Sequence, residues 1–464
     1  MTDPKNPESS LKELEALATS LVERARRAGA TDAEAVAIEG NEFNVQVRLG
    51  EVETLKQAGA RSIGLRVFDG NRAATSSTSD LSATGLDELL QSALALVKLT
   101  EADACAGLAD SAEFGSYTGN LPMFDAEIDR FPRAEAIEWA KRAESAALEA
   151  DPRLKNSDGG SFELVTGAKV LANSRGFVGS YRSSSAGVAA APVAVDEAGG
   201  MQRDGWWSSA RRIVDLESPE SVGKEAARRT LRRLGAKRVA TQQVPIIFAP
   251  EVARSLIGSL FEAISGDSIW RGASFLTGKL GEQIADSGLT LIDDGTMLLP
   301  TGWAGFGTRP FDGEGLPTQR TVLLEKGQLQ SYILNTYAAR KLGLHSTHNA
   351  SRGLAGTPGI GCGNLYLEAG SVSPEEILKS VPKGLYVTGL MGFGVNIVTG
   401  DYSRGATGLW IENGELTHAV EEVTVAGNLT SMLQEITAIG SDLTFRSSVA
   451  APTLRIDGMT VAGS

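Results

Sequence analysis

Histidine and cysteine, the side chains most often recruited to bind metals or attack carbonyls, are scarce in this chain: three and two in 464 residues. His345 and His348 stand three apart, which on a helix would bring both rings to one face. They fall in a Gly- and Ser-rich loop with no third ligand beside them, and zinc needs at least three protein ligands. His418 lies in a strand-like stretch, and no serine stands in a Gly-x-Ser-x-Gly setting, so a Ser–His–Asp triad has no local signature. Cys105 and Cys362 show no framework or metal spacing. Residues 353–363 carry the glycines of a phosphate-cradling loop. They lack its Lys-Ser/Thr ending and lead to a strand-like run, 364–367, where a phosphate loop opens a helix. For acid–base or ionic work there remain Glu262, Asp312, Asp401 and Arg404, which an unrelated hydrolase could gather in one cleft.

The elements that would position such groups centre on residues 244–276. A β-branched and aromatic run, 244–248, fits a buried strand. Pro250 suits the first turn of a helix, because its fixed φ is helical and its missing N–H would be unpaired there. Glu251 adds a carboxylate near the positive end of the helix dipole. Val252, Ala253, Leu256, Ile257, Leu260, Phe261 and Ile264 then recur at helical spacing, and Gly266 is expected to end the helix in a left-handed cap. The opposite face holds Arg254, Ser255, Gly258, Ser259 and Glu262, small or polar groups turned to solvent or a cleft.

Length exceeds what a single hydrophobic core usually serves, so two or three domains are expected: 1–104, 105–240 and 241–464. Hydrophobic content of 42% and charged content of 22% are those of an ordinary globular protein. The 53 glycines imply many tight turns and antiparallel strands. A formal charge of −13 argues against sequence-independent nucleic-acid binding, which needs a cationic surface. No apolar run could span a bilayer, and the polar start, 1–10, has no leader pattern. A cytoplasmic location is the default expectation.

Along the chain, a helix over 11–28 opens with a capping box of Ser10 and Glu13 and ends at Gly29. Strands follow at 35–39, 43–49 and 62–68, with Asp69-Gly70 as a hairpin signal, then a helix over 86–99. Residues 105–132 read as a connector. A helix over 133–150 precedes short strands punctuated by glycine up to residue 211, with a hairpin turn at 173–176. The helix at 219–234 ends in a basic cluster, Arg228, Arg229, Arg232, Arg233, Lys237 and Arg238. It reads as a solvated helix end favoured by the dipole rather than as an anion patch. Beyond 244, hairpin signals stand at Asp294-Gly295, Lys326-Gly327 and Asn413-Gly414, and Ser373 with Glu376 caps a small helix at 374–381. The expected class is α+β: antiparallel strands with helices in a sandwich-like N-terminal region, then a mostly-β curled sheet or barrel with one main helix.

The most distinctive residues are Gly389-Leu-Met-Gly-Phe-Gly-Val-Asn-Ile-Val-Thr-Gly-Asp401, Tyr402-Ser-Arg-Gly-Ala-Thr-Gly-Leu-Trp-Ile-Glu-Asn-Gly414 and Val423-Thr-Val-Ala-Gly-Asn-Leu429. Pro310-Phe-Asp-Gly-Glu-Gly315 and Phe248-Ala-Pro-Glu-Val-Ala253 accompany them. Together they resemble the TldD/PmbA family over nearly the whole chain, more closely its PmbA (also called TldE) branch. The resemblance implies a two-part cytoplasmic proteolytic assembly. In it a TldD-type subunit carries zinc on a His-Glu-x-x-x-His helix, with a cysteine near the C-terminus. Older descriptions of the family speak of a modulator of DNA gyrase, and members mature peptide antibiotics.

Carried over residue by residue, with Gly266-Asp267 and Gly272-x-Ser274 fixing the alignment, the resemblance puts Ile257 and Glu262 at the two histidine places. Gly258 stands at the general-base place and Ala450 near the cysteine place. Isoleucine has no lone pair to donate, and glycine cannot take a proton from zinc-bound water. Positions five apart also lie about 140° apart on an undistorted helix, so they would not converge on one ion. This chain is therefore expected to hold no metal and to supply no catalytic residue itself. The zinc is expected in a TldD-type partner, the substrate is expected to be an unfolded peptide, and a homodimer is an option when the chain is alone. Gly392, Gly394, Asn396, Asp401, Arg404, Arg271 and Ser274 are the candidates for substrate or partner contact. The alternative is a stand-alone peptide- or protein-binding regulator of the gyrase or toxin type.

Overall fold

The computed structural model describes residues 7–463, so the polar start of the chain lies largely outside the described residues. Helix α1 (Pro7–Arg27) is followed by strands β1 (Asp32–Arg48), β2 (Glu51–Asp69) and β3 (Arg72–Thr78) and by α2 (Ala83–Val97). Then come α3 (Glu127–Arg130), α4 (Arg133–Leu148), β4 (Leu154–Asn173), β5 (Val178–Val195), β6 (Met201–Arg203), β7 (Trp206–Ala210) and α5 (Pro219–Leu231). The seven strands form one antiparallel sheet in the order β3-β2-β1-β4-β5-β6, with β7 also on β5.

These strands are long because they serve two helix pairs in succession. On β1, Ala33, Ala35 and Ala37 pack with Leu14, Leu21, Leu86 and Leu90 of α1 and α2. Phe43, Val45 and Val47, on the same face by the two-residue period, pack with Ala136, Ala140 and Val222 of α4 and α5. The polar residues Gly40, Asn41 and Glu42 fall in the gap between the pairs, where β1 is not fully buried. The separate strands expected at 35–39 and 43–49 are therefore one, and the short strands expected up to 211 include two long ones, β4 and β5. Helix α1 starts before the expected capping box: Ser10 lies inside it and donates to Glu39 Oε2 at 2.6 Å. The α4/α5 pair stops short of β2, whose residues 51–60 are all exposed and pair with β1 alone, since β3 reaches only 63–69.

The second half begins with β8 (Gln242–Phe248), α6 (Pro250–Ile264) and α7 (Gly266–Trp270). Short strands β9 (Leu291–Asp294), β10 (Arg320–Glu325) and β11 (Gln328–Leu329), helix α8 (Thr336–Leu342), and β12 (Ala350–Ser351), β13 (Gly359–Ile360) and β14 (Asn364–Leu367) follow. Helix α9 (Pro374–Lys379), strands β15 (Lys383–Met391), β16 (Asp401–Glu412) and β17 (Glu415–Asn428), α10 (Leu429–Gln434), β18 (Ile436–Ile439), β19 (Val449–Ala450) and β20 (Leu454–Ala462) complete it. β8, β15, β16, β17 and β20 close into a five-stranded barrel through the β17–β20 pairing. A second sheet, β11-β10-β9-β14-β19, shares the same core. The expected α+β class, with an antiparallel N-terminal region and a barrel-like C-terminal one, is what the chain adopts.

Local signals explain several junctions. Asn413 (φ 52°) and Gly414 (φ 77°) turn β16 into β17, and Lys326 (φ 49°) with Gly327 (φ 78°) turns β10 into β11, both in the left-handed conformations of a tight hairpin. Asp294-Gly295 is no hairpin: β9 pairs with β10 and β14, and the chain takes a long excursion before returning. Gly266 is no left-handed cap either. Ser265 ends α6 with extended backbone (ψ 131°), and Gly266 opens α7, where an added Cβ would lie 2.6 Å from Leu334.

The two halves meet at the α5/β7 end of the N-terminal region, where Arg446 lies over Trp206 and pairs with Glu217, and on the face of the N-terminal sheet away from its helices. Val36, Leu171 and Phe177 pack there with Phe311. Glu34 pairs with Arg66 at 3.1 Å and with Arg352 at 2.7 Å, all three buried. Gly64 passes so close to residue 354 that an added Cβ would sit 1.8 Å from Leu354 O.

Candidate functional site

Helix α6 presents two chemically different sides. Val252, Leu256, Ile257 and Leu260 are buried in the main core, each such side chain contributing roughly 1.5–3 kcal/mol. Arg254, Ser255, Gly258 and Ser259 form a partly exposed polar side. Ser255 Oγ donates to Val252 O at 2.8 Å and Ser259 Oγ to Ser255 O at 3.2 Å, so both hydroxyls bond back to the helix. Gly258 faces open space, with no atom within 4 Å of an added Cβ.

Two adjoining hollows flank the start of this polar side, one of about 300 Å³ and one of about 210 Å³. Trp207, Glu251 and Arg254 line both. The larger is closed by Asp204 and Arg229, by Arg404 from β16, and by Thr388, Gly389 and Leu390 of β15. β15 pairs with β8 only through Val387, where Val387 O accepts from Ala249 N at 3.0 Å. Beyond it the strand keeps its β16 neighbour, and α6 departs on the other side. Arg404 Nη1 donates to Ser255 Oγ at 3.4 Å, and its Nε is buried without a hydrogen-bond partner. Beneath it, burial pushes the Tyr402 phenol up to about 12, while Arg404 pulls the other way. Arg254 lies over the Trp207 ring at 5.4 Å and donates to Ser447 Oγ at 3.5 Å. Asp204 and Glu251 both address Arg229, at 3.6 and 3.8 Å. Two of the six arginines and lysines of the basic cluster are thus held in ion pairs with other elements, Arg229 here and Arg238 with Glu422, while Arg228 pairs with Glu225 in its own helix.

The places carried over from the metal motif do not suit a metal. Ile257 is in the core, Gly258 has no side chain, Glu262 is exposed further along the helix, and Ala450 is buried in the wall of the smaller hollow. Among the described residues, no three His, Cys, Asp or Glu side chains gather closely enough to hold a metal ion. His348 Nδ1 lies 2.7 Å from Pro317 O, in the loop where it was expected.

The other candidates divide. Ser274 is buried, with Oγ donating to Ala263 O at 2.6 Å and accepting from Leu276 N. Arg271 is exposed over the Trp270 ring at 4.4 Å. Gly392 (φ 80°) opens a loop whose Gly394 packs directly on Ser403 O. Asn396 Oδ1 accepts from Val398 N, and Asp401 accepts from Thr399 Oγ1 and Asn428 Nδ2, so these two side chains hold the loop together. Phe275 N donates to Ile397 O at 2.8 Å, tying the loop to the segment after α7. The loop's apolar residues were missed by attention to polar ones: Met391 and Val398 are about half exposed and Phe393 is 101% exposed. Their signal in the sequence was large apolar side chains between glycines. Asp312 joins neither hollow. It is buried against the N-terminal half and accepts from Glu314 N, Leu316 N and Ala350 N. The carboxylate cleft of an unrelated hydrolase, drawn from Glu262, Asp312, Asp401 and Arg404, is not assembled.

Models of the PmbA/TldA metallopeptidases match the chain in three parts: domain 1 over residues 33–97, the central domain over 127–234 and the C-terminal domain over 241–463. Metalloprotease PmbA of Escherichia coli O157:H7 is 39% identical over 463 residues, covering 98% of this chain and 97% of that one. The PmbA homologue of Haemophilus influenzae is 35% identical over 458 residues, with the same coverage. Among solved structures, a candidate modulator of DNA gyrase from Bacteroides thetaiotaomicron superposes with a TM-score of 0.88 at 28% identity, over 97% of this chain and 99% of that one. TldE from Thermococcus kodakarensis, at 22% identity and a TM-score of 0.86 over 96% and 99%, shares the fold. With a barrel, a paired-helix sheet and a full-length sequence match all in agreement, this chain belongs to the PmbA branch of the PmbA/TldD metallopeptidase family.

Proposed function

We propose that the chain is the metal-free, TldE-type subunit of a two-part cytoplasmic zinc peptidase, and that a TldD-type partner supplies the zinc for cleavage of unfolded peptides. The observation that carries this reading is α6. Its metal-motif places hold a core isoleucine, a glycine and an exposed glutamate, while the scaffold around them is kept at 39% identity to a metalloprotease. Zinc hydrolysis needs three protein ligands with an open metal position and a base for the water's proton; Ile257 and Gly258 offer no donor, and Glu262 by itself could fill only one of these roles. The role left to this chain is to complete and enclose the site. The unpaired side of β15 beyond Val387 suits an extended peptide, since backbone pairing is largely indifferent to sequence. The exposed apolar loop around Phe393 suits a partner surface.

The test mixes the purified chain with a relative that retains His-Glu-x-x-x-His and assays an unstructured peptide with and without a chelator. Cleavage by the mixture alone, abolished by the chelator, is expected. Chelator-resistant cleavage by this chain by itself would overturn the reading, and full activity of the partner alone would reduce this chain to a regulator.

A further inference from the structure

We propose that the hollow between α6 and β15 is a carboxylate-binding site built by Arg254 and Arg404. Its ligand would be a peptide carboxylate, either the C-terminal group or an Asp or Glu side chain. That the ligand is a peptide rests on the function proposed above; that the hollow takes a carboxylate does not. Two arginines from different elements line one space, Arg254 of α6 and Arg404 of β16; Arg254 Nε donates to Glu251 O at 3.1 Å and Nη1 to Ser447 Oγ at 3.5 Å, which leaves Nη2 for a ligand. Among the described residues neither has a carboxylate within 4.0 Å, whereas the hollow's own acids, Asp204 and Glu251, are both directed at Arg229. Arg404 Nε is buried beside the Tyr402 hydroxyl, so it is the Nη groups of Arg404 that can meet a ligand in the hollow. The planar fork of guanidinium matches the two oxygens of a carboxylate. The nearby Asp204 and Glu251 favour a singly charged ligand over a phosphate dianion, and the adjoining Thr388, Gly389 and Leu390 give the rest of a peptide backbone groups to meet.

The test is calorimetric titration of the purified chain with four short, N-acetylated, unstructured peptides. One has a free C-terminus and one is its amide; the third is an amide with an internal Asp, and the fourth replaces that Asp by Asn. At least one carboxylate-bearing peptide is expected to bind about tenfold or more tightly than its neutral counterpart, and the pair that shows the difference identifies the source. Arg254→Gln and Arg404→Gln should each erase that difference. Should a variant lose melting temperature, competition on the unaltered chain gives a second readout. Sodium acetate should displace the carboxylate peptide, and sodium chloride at equal ionic strength should not. Equal binding of charged and neutral peptides, displacement by chloride as readily as by acetate, or no binding at all would overturn the site. The mixed-chain cleavage assay does not depend on a carboxylate, so it decides the subunit reading separately.

Discussion

At the scale of single residues, buried groups and missing ligands set the behaviour. Glu314 is buried at the junction of the halves, where desolvation and the neighbouring Asp312 push its carboxyl from 4.5 up to about 7. The folded chain then keeps a proton that the unfolded chain releases. The contribution of Glu314 to stability is therefore full below about 4.5 and is lost as pH rises towards about 7. Glu314→Gln should make the fall in melting temperature across that window shallower, with Asp293, raised to about 6 by burial, supplying the part that remains; scanning calorimetry at stepped pH would show it. At α6, restoring the motif by Ile257→His, Gly258→Glu and Glu262→His should not create a zinc site. Ile257 faces the core and Glu262 faces solvent, so the two new rings would diverge, and a buried imidazole without a partner should cost about 1–3 kcal/mol. Elemental analysis of the dialysed protein should find well below one zinc per chain, before and after the change.

At the scale of elements, the loop of residues 392–400 separates packing from contact. Gly394 cannot take a side chain without moving Ser403, whereas Phe393 touches solvent all round. Phe393→Asp should leave the melting temperature unchanged and lower assembly with a TldD-type partner by about tenfold or more, in line with a central aromatic anchor. Size-exclusion chromatography of the mixture would measure it. The same scale shows what could be read in advance. The amphipathic face of α6, the capping box of α9 and the Asn413-Gly414 hairpin rest on neighbours a few residues apart, so their signals were local. The unity of β1 was not legible, because Gly40-Asn41-Glu42 reads as a turn when it is the uncovered stretch between two helix pairs. The α6–β15 hollow was not legible either. Arg254, Leu390 and Arg404 come from the second half and Trp207 from β7 of the first, so they meet only when the halves dock, which no spacing along the chain encodes; only the polar side of α6 foretold its place.

At the scale of the whole molecule, the halves are joined by a face that tolerates little change. Gly64→Ala would drive a methyl into Leu354 O and should destabilise the chain by about 1–3 kcal/mol, with one cooperative thermal transition rather than two. A different consequence follows from the edge of the N-terminal sheet. Residues 51–60 of β2 leave a row of backbone donors and acceptors unpaired along their outer side, with Val52 and Leu55 exposed. Such a row is a template for a strand from another molecule, and charges along it are the usual guard; here they are Glu51, Glu53 and Lys56. A net charge of −13 adds general repulsion between copies. Both defences are electrostatic, and salt screens them over about 10 Å at 0.1 M. Colloidal behaviour should therefore run opposite to that of a protein held together by ion pairs. The chain should stay dispersed in dilute buffer and self-associate as sodium chloride is raised, and Leu55→Lys should suppress the rise in light scattering.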